Sequence, residues 1–157
     1  MNVRKVGLTA MVLPALGLAS ACDDNGTGPS DGEFDLEPGH ALLEEGTGIE
    51  LSVEGGPFEP GGTFTMVLEN GSDEAVGHNL CIHRVEERAG EEWRDSVTED
   101  RVCTMELYTL EPGASATYDT ELPSNLAPGE YRVRAPLHLM ESEERRDQVS
   151  GPFAVEE

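Results

Sequence analysis

The chain has 157 residues, with 32 acidic side chains against 10 basic ones, a formal charge of −22 and only 5% aromatic residues. Binding nucleic acid requires clustered Lys and Arg to displace counterions from phosphates, so this balance argues against a nucleic-acid partner. So acidic a surface resists nonspecific association through self-repulsion; it suits divalent cations or a basic protein, or simply a solvated coat in salty surroundings.

Arg4 and Lys5 precede an uncharged apolar run from Val6 to Leu18, and Ala19, Ser20, Ala21 and Cys22 follow it. A positive start, a short apolar stretch and small residues before a cleavage point make an export signal. The run is too short to span a bilayer, which takes roughly 20 helical residues. Its end, Leu18 to Cys22, resembles the bacterial lipoprotein lipobox, although Ala19 stands where that family usually has Leu, with Leu18 one position further back. The resemblance implies a signal peptide over 1–21. The Cys22 thiol then carries fatty acyl chains such as palmitate, and the protein is extracytoplasmic and membrane-anchored, at the periplasmic face or the cell surface. The alternative is an ordinary secretory signal cleaved after Ala21, with Cys22 a free thiol. Cleavage there removes Arg4 and Lys5 and leaves 8 basic against 32 acidic residues, a charge of −24 on 136 residues without a lysine. That length supports one domain with a single core.

Residues 22–46 are rich in Gly, Asp, Glu and Pro and lack apolar periodicity, which describes a flexible acidic tether. Asp23, Asn25, Asp31 and Glu33 do not reproduce the ligand spacing of an EF-hand calcium loop. Asp directly after a lipidated Cys marks inner-membrane retention in enteric bacteria; Asp23 matches that rule without showing that it applies here.

The remaining stretch, 47–157, alternates apolar and polar residues between turn signals. Ile49, Leu51 and Val53 alternate, and PFEPGG turns. Phe64, Met66 and Leu68 alternate, and NGSDE turns. A run from His78 carries Leu80, Ile82 and Val85, breaks at ERAGEE and resumes at Trp93 and Val97. Further runs cover Val102 to Leu110 and Ala116 to Leu122, then Tyr131 with Val133, and Phe153 with Val155. Only Leu137 to Gln148, LHLMESEERRDQ, is unlike a strand; a long loop or one helical turn is expected there. The pattern predicts an all-β, antiparallel sandwich of seven to nine strands.

The order of LENGSDE, a strand containing Cys81, a hairpin near Gly90 followed by Trp93, then EPGASATYDT, LAPGEYRVR and a closing GPFAV resembles bacterial immunoglobulin-like domains of extracytoplasmic proteins. It is also similar to the intracellular proteinase inhibitor (BsuPI-like) group typified by a Bacillus protein. The resemblance covers roughly Ile49 to Glu157 and implies a Greek-key immunoglobulin-like sandwich with a binding role, since one such fold carries many functions.

With Cys22 acylated, Cys81 and Cys103 are an even pair in an oxidising compartment, and a disulfide is expected between them, with buried free thiols or metal ligation as the alternatives. Trp93 is expected to pack near the bridge as the large core aromatic. AVGHNLCIH resembles the strand that supplies one copper ligand in cupredoxins, and GEYRVRAPLHLM resembles their C-terminal ligand strand, which would bring in His138 and Met140. Ala135 stands where a blue-copper site needs its thiolate, so no type 1 centre follows and no cofactor is expected. A reduced metal site from His78, His83, His138 and Met140 is the remaining metal reading. His78 and His83 are five apart, so on one regular strand they would face opposite ways.

No GxSxG, HExxH or phosphate-binding glycine loop occurs, and no enzyme is expected. The expected function is that of a lipid-anchored, noncatalytic binding module of the cell envelope that contacts an envelope protein or polymer. The alternatives are a proteinase inhibitor, using LHLMESEERRDQ or the VTEDRV turn as its inserting loop, and a cupredoxin-like metal-binding module.

Overall fold

The computed structural model describes residues 39–96 and 101–157. Cys22, the export signal, the Asp23 to Glu33 segment and Val97 to Asp100 lie outside the described residues.

The described chain forms β1 Ile49–Glu54, β2 Thr63–Asn70, β3 Val76–His78, β4 Arg84–Ala89, β5 Glu92–Asp95, β6 Tyr108–Leu110, β7 Ser115–Glu121, β8 Gly129–Leu139, β9 Glu144–Val149 and β10 Phe153–Val155. No helix occurs among the described residues. β1, β2 and β7 make one antiparallel sheet, and the other strands assemble around β8. On one flank of β8, β4 pairs with Tyr131–Arg134 and β3 with Leu137–Leu139; on the other, β10 and β9 divide its length in the same way. β5 and β6 lie outside β4 and β3. The ten strands therefore occupy three rows in one sheet and four in the other. The chain crosses between sheets at β2–β3, β6–β7 and β7–β8, which is the expected Greek-key, immunoglobulin-like sandwich. The strand count exceeds seven to nine because three rows each hold two strands: β3 and β4, parted by Asn79 to His83; β5 and β6, parted between Asp95 and Tyr108; and β9 and β10, parted by Ser150 to Pro152.

Period two explains the core. Phe64, Met66 and Leu68 of β2 face Tyr131, Val133, Ala135 and Leu137 of β8, and all seven are buried. Phe58, Phe64 and Phe153 gather around Tyr131, with Phe58 edge-on to Phe153 at 5.5 Å. The Tyr131 hydroxyl donates to the Ala127 carbonyl at 2.7 Å, so the one polar atom of the largest buried side chain is satisfied at the LAPG turn. Buried Asn70 closes the NGSDE turn: its Nδ2 donates to the Glu74 and Leu110 carbonyls, and its Oδ1 accepts from Ser72.

Residues 41–58 run along the edge of β9 and β10. Leu43 N–H donates to Asp147 O at 2.8 Å, Asp147 N–H to Ala41 O at 3.0 Å, and Phe58 N–H to Ala154 O at 3.0 Å. The last part of the segment expected as a tether, from Gly39 onward, is thus a strap on the sheet edge. It ends over a ladder of charges on the outer face of the larger sheet. Arg132 Nε and Arg134 reach Glu86, Arg134 Nε donates to Asp147 Oδ2 at 2.6 Å, and Asp147 Oδ2 also accepts Gly39 N–H at 2.8 Å.

Three local expectations change. Leu137 to Gln148 is a hairpin of β8 and β9 closed over Met140 to Glu143, with Glu143 in the left-handed region at φ 56°. Its alternation was hidden because β9 lies at the margin of the sandwich, where Arg146 and Gln148 occupy the core-side positions opposite Leu137 and Ala135 yet reach solvent. Trp93 is not in the core: β5 is an edge strand, and its ring lies on the outer face beneath the Arg132 guanidinium, 4.5 Å from the ring centroid. Of the run Val102 to Leu110, only Tyr108–Leu110 is strand.

Candidate functional site

The strap closes one side of the sandwich. On the other side β6 and β7 belong to different sheets, and a cleft of about 520 Å³ opens between them, lined by His78, Leu80, the Cys81 and Cys103 bridge, Tyr108 and Tyr118.

Local chemistry builds this end. After β3 the chain leaves the sheet at Asn79, whose Oδ1 accepts Cys81 N–H at 3.2 Å and whose backbone carbonyl accepts Ile82 N–H at 2.9 Å. The Asn79 Nδ2 group donates to the Thr104 and Glu106 carbonyls at 2.7 and 2.9 Å, so one buried amide staples the segment carrying Cys103 to the loop carrying Cys81. The expected disulfide is formed, with Cα atoms 5.7 Å apart. Gly77 completes the fit: Leu107 side-chain carbons lie 2.9 Å from where a Cβ would stand, so any other residue there would force the Leu107 side chain to shift. Asn79 and Leu107 carry no sequence signal for these roles, since both depend on a segment about 25 residues away.

The proposed metal ligands are not brought together. His78 pairs in register with Leu137, and His138 with Gly77, so the two imidazoles point to opposite faces of the larger sheet. Met140 is in the β8–β9 turn. Among the described residues no group of three His, Cys, Asp or Glu side chains is placed to hold a metal ion. The cupredoxin-like ligand set is corrected on that geometry. The two loops considered for protease insertion fare differently: LHLMESEERRDQ is a paired hairpin, while VTEDRV is described only at Arg101 and Val102.

His83 is buried against Phe64 and Tyr118, with its Nδ1 2.8 Å from Leu80 O and 3.1 Å from an Arg101 nitrogen. A single nitrogen cannot donate to the carbonyl and accept from Arg101 together. Arg101 has the Cys81 carbonyl at 3.1 Å, so we assign the proton to Nδ1, donating to Leu80. Burial, then the neighbouring Arg101 charge, push the His83 pKa down to about 4. The unfolded chain takes up this proton near pH 6.5 and the folded chain does not, so the contribution of His83 to stability is full above about pH 6.5 and is lost as pH falls toward 4. A His83→Gln variant is expected to show a shallower loss of stability than the parent across that window in urea titrations at stepped pH. Parallel curves for the two proteins would contradict the buried neutral imidazole. Burial also lowers the His78 pKa.

No protein-family model matches this chain, and no curated protein does. Among solved structures, the chain is similar to Northeast Structural Genomics Consortium target SoR45, with 15% identity, a TM-score of 0.48, and coverage of 70% of this chain and 87% of that one. It is similar to the ASH / PapD-like domain 7 of human CEP192, with 14% identity, a TM-score of 0.32, and coverage of 78% and 99%. A third similarity is to a beta-glucosidase from Listeria innocua in complex with gluconolactone, with 16% identity, a TM-score of 0.27, and coverage of 67% of this chain but 16% of that one. From its own strand pairings the chain is an antiparallel, immunoglobulin-like β-sandwich, open at its disulfide end.

Proposed function

We propose that this protein is a lipid-anchored, extracytoplasmic, noncatalytic interaction module of the cell envelope, held to a membrane through Cys22 and engaging an envelope protein or polymer at the disulfide end of its sandwich. The observation that carries the reading is the rim of the cleft. Val102 is 97% exposed, Met105 59% and Tyr108 46%, all on the segment that the Cys81–Cys103 bridge and Asn79 hold in place. Large apolar side chains kept in water on a pinned segment mark a contact surface, because their exposure is unfavourable until a partner covers them. The disulfide supports an oxidising compartment, and the lipobox-like Leu18 to Cys22 supports the anchor.

The test is made in host cells. The chain is expected in the membrane fraction, and Cys22→Ala is expected to release it. A photocrosslinking residue at position 108 should give a discrete adduct that disappears when Val102→Asp and Met105→Asp are combined. Adducts no stronger than those from a crosslinker at position 92, in β5 at the opposite end of the same sheet edge, would overturn the reading of this end as a contact surface.

A further inference from the structure

Resting on the interaction-module reading, we propose that the partner contributes an extended segment that adds as a strand to the edge of β7, and that this segment alternates apolar with basic side chains. β7 is the outer strand of its sheet, and two hydrogen bonds fix which of its backbone groups face outward. Leu122 N–H donates to Gly62 O at 2.9 Å and Asn70 N–H to Ala114 O at 2.9 Å, bracketing a ladder in which Thr63 pairs with Glu121 and Glu69 with Ser115. Antiparallel pairs alternate between bonded and non-bonded positions, so the even-numbered residues of β7 bond to β2. Ser115, Thr117, Asp119 and Glu121 then turn their N–H and C=O groups away from the sheet, where no partner meets them among the described residues. The edge runs for seven residues and contains no proline, lysine or bulge that would blunt it.

The two faces beside this edge differ in chemistry. On the inner face, Ala116 and Tyr118 line the cleft together with Tyr108 and the disulfide, so inward side chains of an added strand would enter an apolar recess. On the outer face, the three-stranded sheet presents Glu50, Glu54, Glu69, Asp119 and Glu121 and no basic side chain, with Glu50 directly opposite Glu69. Like charges facing across strands are unfavourable unless a cation lies over them. The eight arginines after position 22 all lie on the larger sheet or, for Arg101, on the segment before β6. An added strand has period two, so its inward positions take apolar side chains and its outward positions Lys or Arg. A second copy of this chain fits poorly, because pairing two β7 edges would set their outward carboxylates against each other.

The probe is a synthetic peptide of alternating Lys and Val, measured by fluorescence polarisation against the full chain in detergent at low salt. The controls are a block-ordered peptide of the same composition and an alternating Glu and Val peptide. Binding of the alternating basic peptide should be roughly tenfold or more tighter than either control and should weaken with added salt. It should also slow hydrogen exchange at the odd-numbered amides of β7. Thr117→Pro removes an outward donor without touching the β2 ladder and should abolish binding. Asp119→Lys combined with Glu121→Lys, which leaves the backbone intact, should weaken binding by a similar factor. Equal affinity for alternating and block-ordered peptides, or unchanged binding in both variants, would overturn the edge-strand proposal. A position-108 adduct in cells carrying the otherwise unchanged chain, alongside that result, would leave the interaction-module reading standing, whereas no discrete adduct in those cells would end both.

Discussion

Asp147→Ala is expected to cost about 3–5 kcal/mol of folding free energy and to loosen residues 39–43 from the sheet edge. The Asp147 side chain is 0% exposed and shares one carboxylate oxygen between Arg134 Nε at 2.6 Å and Gly39 N–H at 2.8 Å. Arg134 is itself committed, to Glu86 and to the His40 carbonyl at 2.6 Å. Removing the carboxylate leaves a guanidinium in a partly dry site facing one acceptor fewer, and the desolvation it has already undergone is no longer offset. The rest of the strap's hold is the backbone pair with β9 and the half-buried Leu43 side chain against the core, since Leu42 is exposed. Urea denaturation should show the stability loss, and native-state hydrogen exchange should show Leu43 opening at lower free energy than β8. Arg146→Ala, which removes an exposed partner of Glu144, is expected to change stability by no more than about 1 kcal/mol. Equal effects for the two variants would refute the buried network as the fastening of the strap.

Reduction of the bridge, or Cys81→Ser with Cys103→Ser, is expected to lower stability by about 3 kcal/mol and the melting temperature by on the order of 10 °C. The bridge closes a loop with a sequence separation of 22, and the chain-entropy cost of that closure falls on the unfolded state. A second consequence is local. Asn79 remains hydrogen-bonded to the Thr104 and Glu106 carbonyls, so the segment stays near the sheet, but Val102 and Met105 lose the fixed position that the proposed contact surface requires. Calorimetry with and without reductant gives the first effect, and loss of the position-108 adduct in the double serine variant gives the second. A melting temperature unchanged by reductant would show that Asn79 and the sheet pairings suffice.

Much of the fold was legible because strand alternation is a local property. TFTMVLEN and GEYRVRA bury alternate residues, as their sequences say, and the two turns built on Pro and Gly lie where the chain changes direction. The cysteine pairing was expected for a different reason: with Cys22 taken as acylated, Cys81 and Cys103 are the two that remain. The expected export signal and lipidated Cys22 lie outside the described residues. Illegible were the places where a residue's surroundings come from another row. Trp93 has a core residue's size, but its strand lies at the sheet edge and its ring meets Arg132 rather than apolar neighbours. ERRDQV has no apolar alternation, yet β8 pairs it into the sheet through backbone groups that every residue carries.

The amino-acid sequence by itself therefore determined the all-β class, the rhythm of strands and turns, the disulfide and the acidic balance, because each depends on neighbours within a few residues or on counting. Tertiary structure alone decided that His78 and His138 face opposite ways, that Asp147 fastens the strap, and that every arginine among the described residues lies away from the acidic face of the smaller sheet. Those outcomes rest on register. A shift of one residue between paired strands moves every side chain to the other face, and no local pattern records which shift the assembled sheets select.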